Sequence, residues 1–157
     1  ALSCYRPGRF MDNGNMGFLG SGIPFGLAAK LARPEAQVVV LIGDGSFGLN
    51  AMEMDTAIRH KLPIIVVIGN DGAWGMIKHR QEAIYGPDRV VGTELGFTHY
   101  ERMVEGLGGY GEYVERPQDI PPALARALAS GRPACINVIT DPTAVSPSTR
   151  RTASARG

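Results

Sequence analysis

The chain has 157 residues, enough for one domain with a real core, and its 16 Lys plus Arg against 15 Asp plus Glu leave a net charge of +1. So even a balance argues against nucleic acid or an anionic membrane surface as a partner, and no stretch approaches the ~18 consecutive apolar residues of a membrane span. The two cysteines, Cys4 and Cys135, show no metal-ligand spacing; so cysteine-poor a chain is expected in a reducing compartment, the cytoplasm by default.

Residues 1–15 are polar and irregular, broken by Pro7, Gly8 and Gly14. They do not read as the opening of a domain. Gly17-Phe18-Leu19-Gly20-Ser21-Gly22 then leads into a helix predicted over Pro24 to Ala32, with Pro24 tolerated in its first turn. A dinucleotide-binding fingerprint is the rival reading of this loop. It fails, because Phe25 stands where the third glycine belongs and no strand feeds the turn.

Val38 to Ile42 and Ile64 to Ile68 are unbroken apolar, β-branched runs, the pattern of strands covered on both faces of a parallel sheet. Between them Phe47, Ala51, Met54 and Ile58 place one apolar stripe on a crossover helix. The result is a right-handed βαβ unit. Ligands of open parallel sheets gather beyond the carboxyl ends of the strands, and those ends carry Gly43-Asp44-Gly45-Ser46 and Gly69-Asn70-Asp71-Gly72. These two turns suit a magnesium-bound diphosphate. Gly45 lets backbone approach a phosphate, Ser46 is a candidate helix cap, and a helix N-terminus offers unpaired N–H groups to an anion. Asp44 supplies a hard carboxylate oxygen, and Asp71 or its neighbour Asn70 a second side-chain oxygen. A carbonyl of the following turn adds a third donor of the kind magnesium takes.

Ala73 to Ile84 is predicted as a helix. A Gly-rich connection, residues 85–98, follows, of the kind that closes over an active site. His79 and His99 are candidates for proton transfer, weighed against solvated surface roles, and His60 is read as complementing its helix's C-terminal dipole. Tyr100 to Leu107 and Ile120 to Ala129 read as helices, Glu112 to Glu115 and Ala134 to Thr140 as strands. The fold class is therefore α/β, a doubly wound, mostly parallel sheet with helices on both faces. Residues 1–142 form the domain and 143–157 a polar tail. No nucleophile elbow or zinc-ligand set is present.

At the glycine-rich turns the sequence resembles the diphosphate-binding domain of thiamine-diphosphate-dependent enzymes. That signature is met by Leu27-Ala28, Pro34, Val39, Leu41 and Gly43-Asp44-Gly45-Ser46, and its closing asparagine pair aligns with Asn70-Asp71. The resemblance implies magnesium held by Asp44, Asp71 and the carbonyl of Ala73, with aspartate replacing the family's asparagine at Asp71. It implies a cofactor site extending over Gly17, Leu19, Gly43, Gly45, Ser46, Trp74 and Gly75. Leu19 would wedge the cofactor into its bent form, and the Gly17 carbonyl would meet the exocyclic amine. Trp74, Met76 and Arg80 become substrate-pocket candidates. In that family the domain opens with a strand and helix before a segment such as 1–15, so the resemblance also implies that this chain lacks the domain's first strand and is a fragment of a longer polypeptide or a split subunit.

Within the family the chain is most similar to the acetolactate synthase and benzaldehyde lyase group. Gly75-Met76-Ile77 with Gln81 matches the synthases, and Arg132 to Val138 the lyase. Arg80 stands where the synthases usually carry tryptophan, which leaves 2-hydroxyacyl-CoA lyases and oxalyl-CoA decarboxylases open. Arg150, Arg151 and Arg156 would suit coenzyme A phosphates. The resemblance implies carbon–carbon bond making or breaking beside a carbonyl, on 2-keto acids, aldehydes or acyl-CoA thioesters. It also implies a homodimer or homotetramer, because the activating glutamate lies in a pyrimidine-binding domain of the neighbouring subunit. Glu53 is read as structural, a flavin has room in a further domain, and a non-catalytic module keeping the fold is the alternative.

Overall fold

A computed structural model of the chain describes residues 5–145. Its apolar runs form a sheet of four parallel strands, β1 (Val38–Gly43), β2 (Ile64–Asn70), β3 (Tyr110–Val114) and β4 (Ala134–Ile139), in the order β1-β2-β4-β3. Among the described residues six α-helices accompany it: α1 (Gly22–Ala32), α2 (Asp44–Leu49), α3 (Glu53–Arg59), α4 (Gly75–Tyr85), α5 (Tyr100–Gly106) and α6 (Ile120–Ser130). The α/β class expected from the sequence holds. The tail from residue 146, with Arg150, Arg151 and Arg156, and Cys4 at the other end lie outside the described residues.

Strand alternation divides the core in two. One face of the sheet carries Val40, Ile64, Val66 and Ile68, packed with Ile23 and Leu27 of α1, Phe47 of α2, Met54 of α3 and Val104 of α5. The other face carries Ile65, Ile136 and Val138, packed with Ala123 and Ala127 of α6. Helix α1 approaches β1 closely: a Cβ at Gly26 would lie 2.6 Å from Val40 Cγ2, and one at Gly22 would lie 2.6 Å from Ile42 Cγ2. Ala134 and Cys135 continue the buried run, and burial pushes the Cys135 thiol far above its ordinary range, leaving it inert.

Two expectations are corrected. The crossover is two helices rather than one, because Gly48 and Asn50 are poor helix formers and the Asn50 side chain leaves the helix to donate from Nδ2 to the Gly20 carbonyl at 2.9 Å. The apolar stripe survives the break, with Phe47 and Met54 fully buried. Strand β1 is not covered on both faces. It lies at an edge of the sheet, and α6 packs on β3 and β4, so Val39 and Leu41 are 45% and 52% exposed.

Candidate functional site

Parallel pairing aligns Gly43 with Gly69, so the turns leaving β1 and β2 emerge side by side at the carboxyl edge of the sheet. Asp44 follows Gly43 directly and opens α2, whose first-turn amides have no intrahelical acceptors. Its side chain is buried, and Oδ2 has no hydrogen-bond partner among the described residues. Burial raises the carboxyl pKa and the nearby charge of Asp71 raises it further, while the amides of Gly45 and Ala73 pull the other way. The Asp71 charge thus reaches Asp44 across adjacent turns.

Asp71 is held in a defined pose. Its Oδ1 accepts from the Ala73 amide at 3.2 Å, and a Cβ at Gly75 would sit 2.1 Å from Oδ2, so only glycine leaves that oxygen its place. Ala73 is buried, and its carbonyl accepts no hydrogen bond among the described residues. The turn is stapled from outside by the 85–98 connection. Trp74 N–H donates to Thr93 O at 2.8 Å, and the amides of Leu95 and Gly96 donate to Gly72 O at 2.8 and 2.9 Å. The connection therefore runs along the turn as a short antiparallel bridge, Ala73 to Glu94.

Gly45 has a structural role besides the one read from the sequence, and Ser46 departs from its reading as a helix cap. A Cβ at Gly45 would lie 2.6 Å from the Trp74 ring, so the missing side chain makes room for that indole. Ser46 does not cap α2: Gly43 is the cap residue, without a side-chain bond, and Ser46 Oγ accepts from Gly20 N–H at 3.0 Å. With Asn50 holding the Gly20 carbonyl, the 17–22 loop is tied to α2 on both sides. Gly20 has φ +81° and Gly17 +57°, backbone that other residues adopt only with strain.

Gly43, Asp44, Gly45, Ser46, Asp71, Ala73, Trp74 and Gly75 are thus gathered at one edge. Leu19 stands beside them, 53% exposed. Met76 is 76% exposed and Arg80 is also on the surface of α4, so neither is enclosed by this chain. His79 is largely covered, its Nδ1 3.1 Å from Glu82 Oε2 and its Nε2 without a partner among the described residues. His60 sits at the C-cap of α3, and Glu53 opens that helix. Sequence reading missed Tyr100, whose ring meets Phe47 edge-on at 5.1 Å. Burial, then the Asp44 charge, raises its hydroxyl pKa, which brings it into the same neighbourhood. No periodicity links residues so far apart in sequence, so only the fold reveals it.

Among the described residues no group of three or more His, Cys, Asp or Glu converges. Two carboxylates and a carbonyl are therefore what this chain offers a cation. That set is all oxygen, which suits magnesium rather than zinc. An unclaimed carboxylate oxygen beside a second negative charge is the electrostatic fault that a bound divalent ion corrects, so the residues fit the group.

Residues 1–138 match the family described as "Thiamine pyrophosphate enzyme, C-terminal TPP binding domain". The chain is 51% identical over 146 residues to a probable acetolactate synthase of Mycobacterium bovis, covering 93% of this chain and 26% of that protein. It is 40% identical over 129 residues to 2-hydroxyacyl-CoA lyase 2 of Mus musculus, covering 82% and 20%. A thiamine diphosphate-dependent 4-hydroxybenzoylformate decarboxylase of Rhodococcus jostii RHA1 superposes with a TM-score of 0.71 at 32% identity, covering 78% of this chain and 23% of that one. The chain thus spans about a quarter of the length of the curated synthase it matches.

Proposed function

Since the chain belongs to the thiamine pyrophosphate enzymes, as their C-terminal cofactor-binding domain, we propose that it anchors thiamine diphosphate through magnesium at Asp44, Asp71 and the Ala73 carbonyl. The observation that carries this is the buried Asp44 carboxylate, with Oδ2 unpartnered and Asp71 acting on it. When bound, the cofactor supplies carbanion chemistry at its thiazolium ring. The chain's own residues bind and orient. Gly75 keeps Asp71 aimed, and Trp74 covers Gly45. The first-turn amides of α2 are donors for phosphate oxygens. Gly20, gripped by Ser46 and Asn50, fixes the loop on which Gly17 and Leu19 would meet the aminopyrimidine.

The protein that contains this domain is proposed to make or break a carbon–carbon bond beside a carbonyl. Identity favours an acetolactate synthase-like reaction on 2-keto acids. Arg80, in place of the synthases' usual tryptophan, and the lyase relatives favour a second reading, cleavage of a 2-hydroxyacyl-CoA thioester. Both readings require a pyrimidine-binding domain from a neighbouring subunit, hence a homodimer or homotetramer, in the cytoplasm.

Calorimetry with thiamine diphosphate tests the anchor: heat that requires magnesium and disappears in Asp44→Ala is expected. Binding that ignores magnesium, or a dinucleotide bound in its place, refutes it. Offering a 2-keto acid and a 2-hydroxyacyl-CoA in turn to the full-length enzyme separates the two reactions by product.

A further inference from the structure

Beneath the 71–73 turn lies a continuous buried polar chain. Asn70 and Asn137 are fully buried and Glu101 is 4% exposed. Glu101 Oε2 accepts from Asn137 Nδ2 at 2.7 Å, and the same amide donates to Thr98 O at 2.9 Å. Asn137 Oδ1 accepts from Asn70 Nδ2 at 3.1 Å, which also donates to Thr98 O at 3.1 Å. Asn70 Oδ1 then accepts from the Gly72 amide at 3.1 Å, inside the turn between Asp71 and Ala73. The other oxygen of Glu101 lies 2.6 Å from His99 Nδ1 and 3.9 Å from Arg102 Nε.

The order of donors and acceptors in this chain is set by groups that can only accept. The Thr98 carbonyl takes an N–H from Asn137 and one from Asn70, and the Glu101 carboxylate takes the other from Asn137, so Asn137 turns its oxygen to Asn70 and Asn70 turns its own to the Gly72 amide. Of the two acceptors the carboxylate makes the stronger bond. A neutral amide at 101 weakens that hold on Asn137 and brings a competing donor against its NH2. A buried carboxylate is costly even when hydrogen-bonded, and an apolar side chain of similar size would fill the same space more cheaply. Its presence calls for a role in orientation rather than in packing.

We propose that Glu101 is a positioning residue for the cation and diphosphate site, setting through Asn137 and Asn70 the pose of the turn that carries Asp71 and the Ala73 carbonyl. The inference rests on the reading of Asp44 and Asp71 as ligands given above. Groups behind metal ligands typically change metal affinity about 10- to 100-fold when lost.

The test uses the full-length protein and three readouts: Mn2+ binding by its EPR signal with thiamine diphosphate present, the urea midpoint, and the KM for substrate. Glu101→Gln is expected to weaken Mn2+ binding about 10-fold or more, with the midpoint and the substrate KM close to wild type. A lower midpoint with unchanged Mn2+ affinity would overturn the proposal, leaving Glu101 a packing residue. Asp71→Ala separates the two levels. If wild type binds Mn2+, Asp71→Ala loses it and Glu101→Gln retains it, the positioning role alone fails; if wild type shows no cofactor-dependent Mn2+ binding, the ligand reading fails and takes this inference with it. Should Glu101→Gln not fold, Asn137→Ser cuts the chain one member later and must show the same selective loss of metal. Failure of both variants to fold would overturn the proposal too, because the network would then serve the core.

Discussion

Asp44, buried at the end of β1 with one oxygen unclaimed, holds its proton more tightly than a free aspartate, whose ordinary pKa is 3.8. Its contribution to folding is full below pH 3.8 and is lost as pH rises through the raised folded value, where the fold must hold a charge that the unfolded chain solvates. In chelator at neutral pH, Asp44→Asn is therefore expected to be more stable than wild type by about 1 kcal/mol, roughly 4 °C in melting temperature. That advantage should shrink towards pH 3.8, and the variant should lose any stabilisation by magnesium. Melting curves across pH check it; an advantage that grows on acidification would contradict the electrostatic account. Gly75 offers a second test at this scale, since an added Cβ would collide with Asp71 Oδ2 at 2.1 Å. Gly75→Ala is expected to weaken magnesium-dependent cofactor binding about 10-fold with a smaller change in the urea midpoint.

Helices here are positioned by what their small residues permit. Gly26→Ala should push α1 off β1 through the 2.6 Å approach to Val40, costing about 1–3 kcal/mol in urea unfolding. Helix α6 is tied to β3 by a two-pronged contact, Arg126 Nε and Nη2 to Glu112 Oε1 and Oε2 at 2.7 and 2.9 Å, and Arg126 first, then Tyr110, lowers the Glu112 pKa from its ordinary 4.5. That stabilisation is present above pH 4.5 and is lost as pH falls through the lowered value. Glu112→Gln should accordingly unfold at lower urea at neutral pH and converge on wild type in acid. Strands were largely legible in the sequence: β2 opens with five consecutive apolar, β-branched residues, and β4 is a short apolar stretch interrupted by Asn137. The crossover was legible as a stripe but not as two helices, because Asn50 leaves the helix for Gly20, a partner 30 residues away that no local pattern announces.

Taken whole, the chain gathers the turns that carry Asp44 and Asp71 at one edge of the sheet, with the pocket candidates Met76 and Arg80 on the surface. Residues 1–157 alone are therefore expected to bind thiamine diphosphate weakly in the presence of magnesium and to turn over nothing, as calorimetry and a product assay would register; decarboxylation or ligation by the isolated chain would refute this. Sequence by itself determined the α/β class, the positions of the two glycine-rich turns and the carboxylates they carry, because burial periodicity and turn chemistry are local and each reads within a dozen residues. Tertiary structure alone decided that Gly45 yields its space to Trp74, that Ser46 serves Gly20 rather than a helix end, and that Glu101, Asn137 and Asn70 form one chain beneath the turn. Those are contacts between segments distant in sequence. Their partners are selected by how the strands pair and the helices pack, and no stretch of residues encodes that on its own.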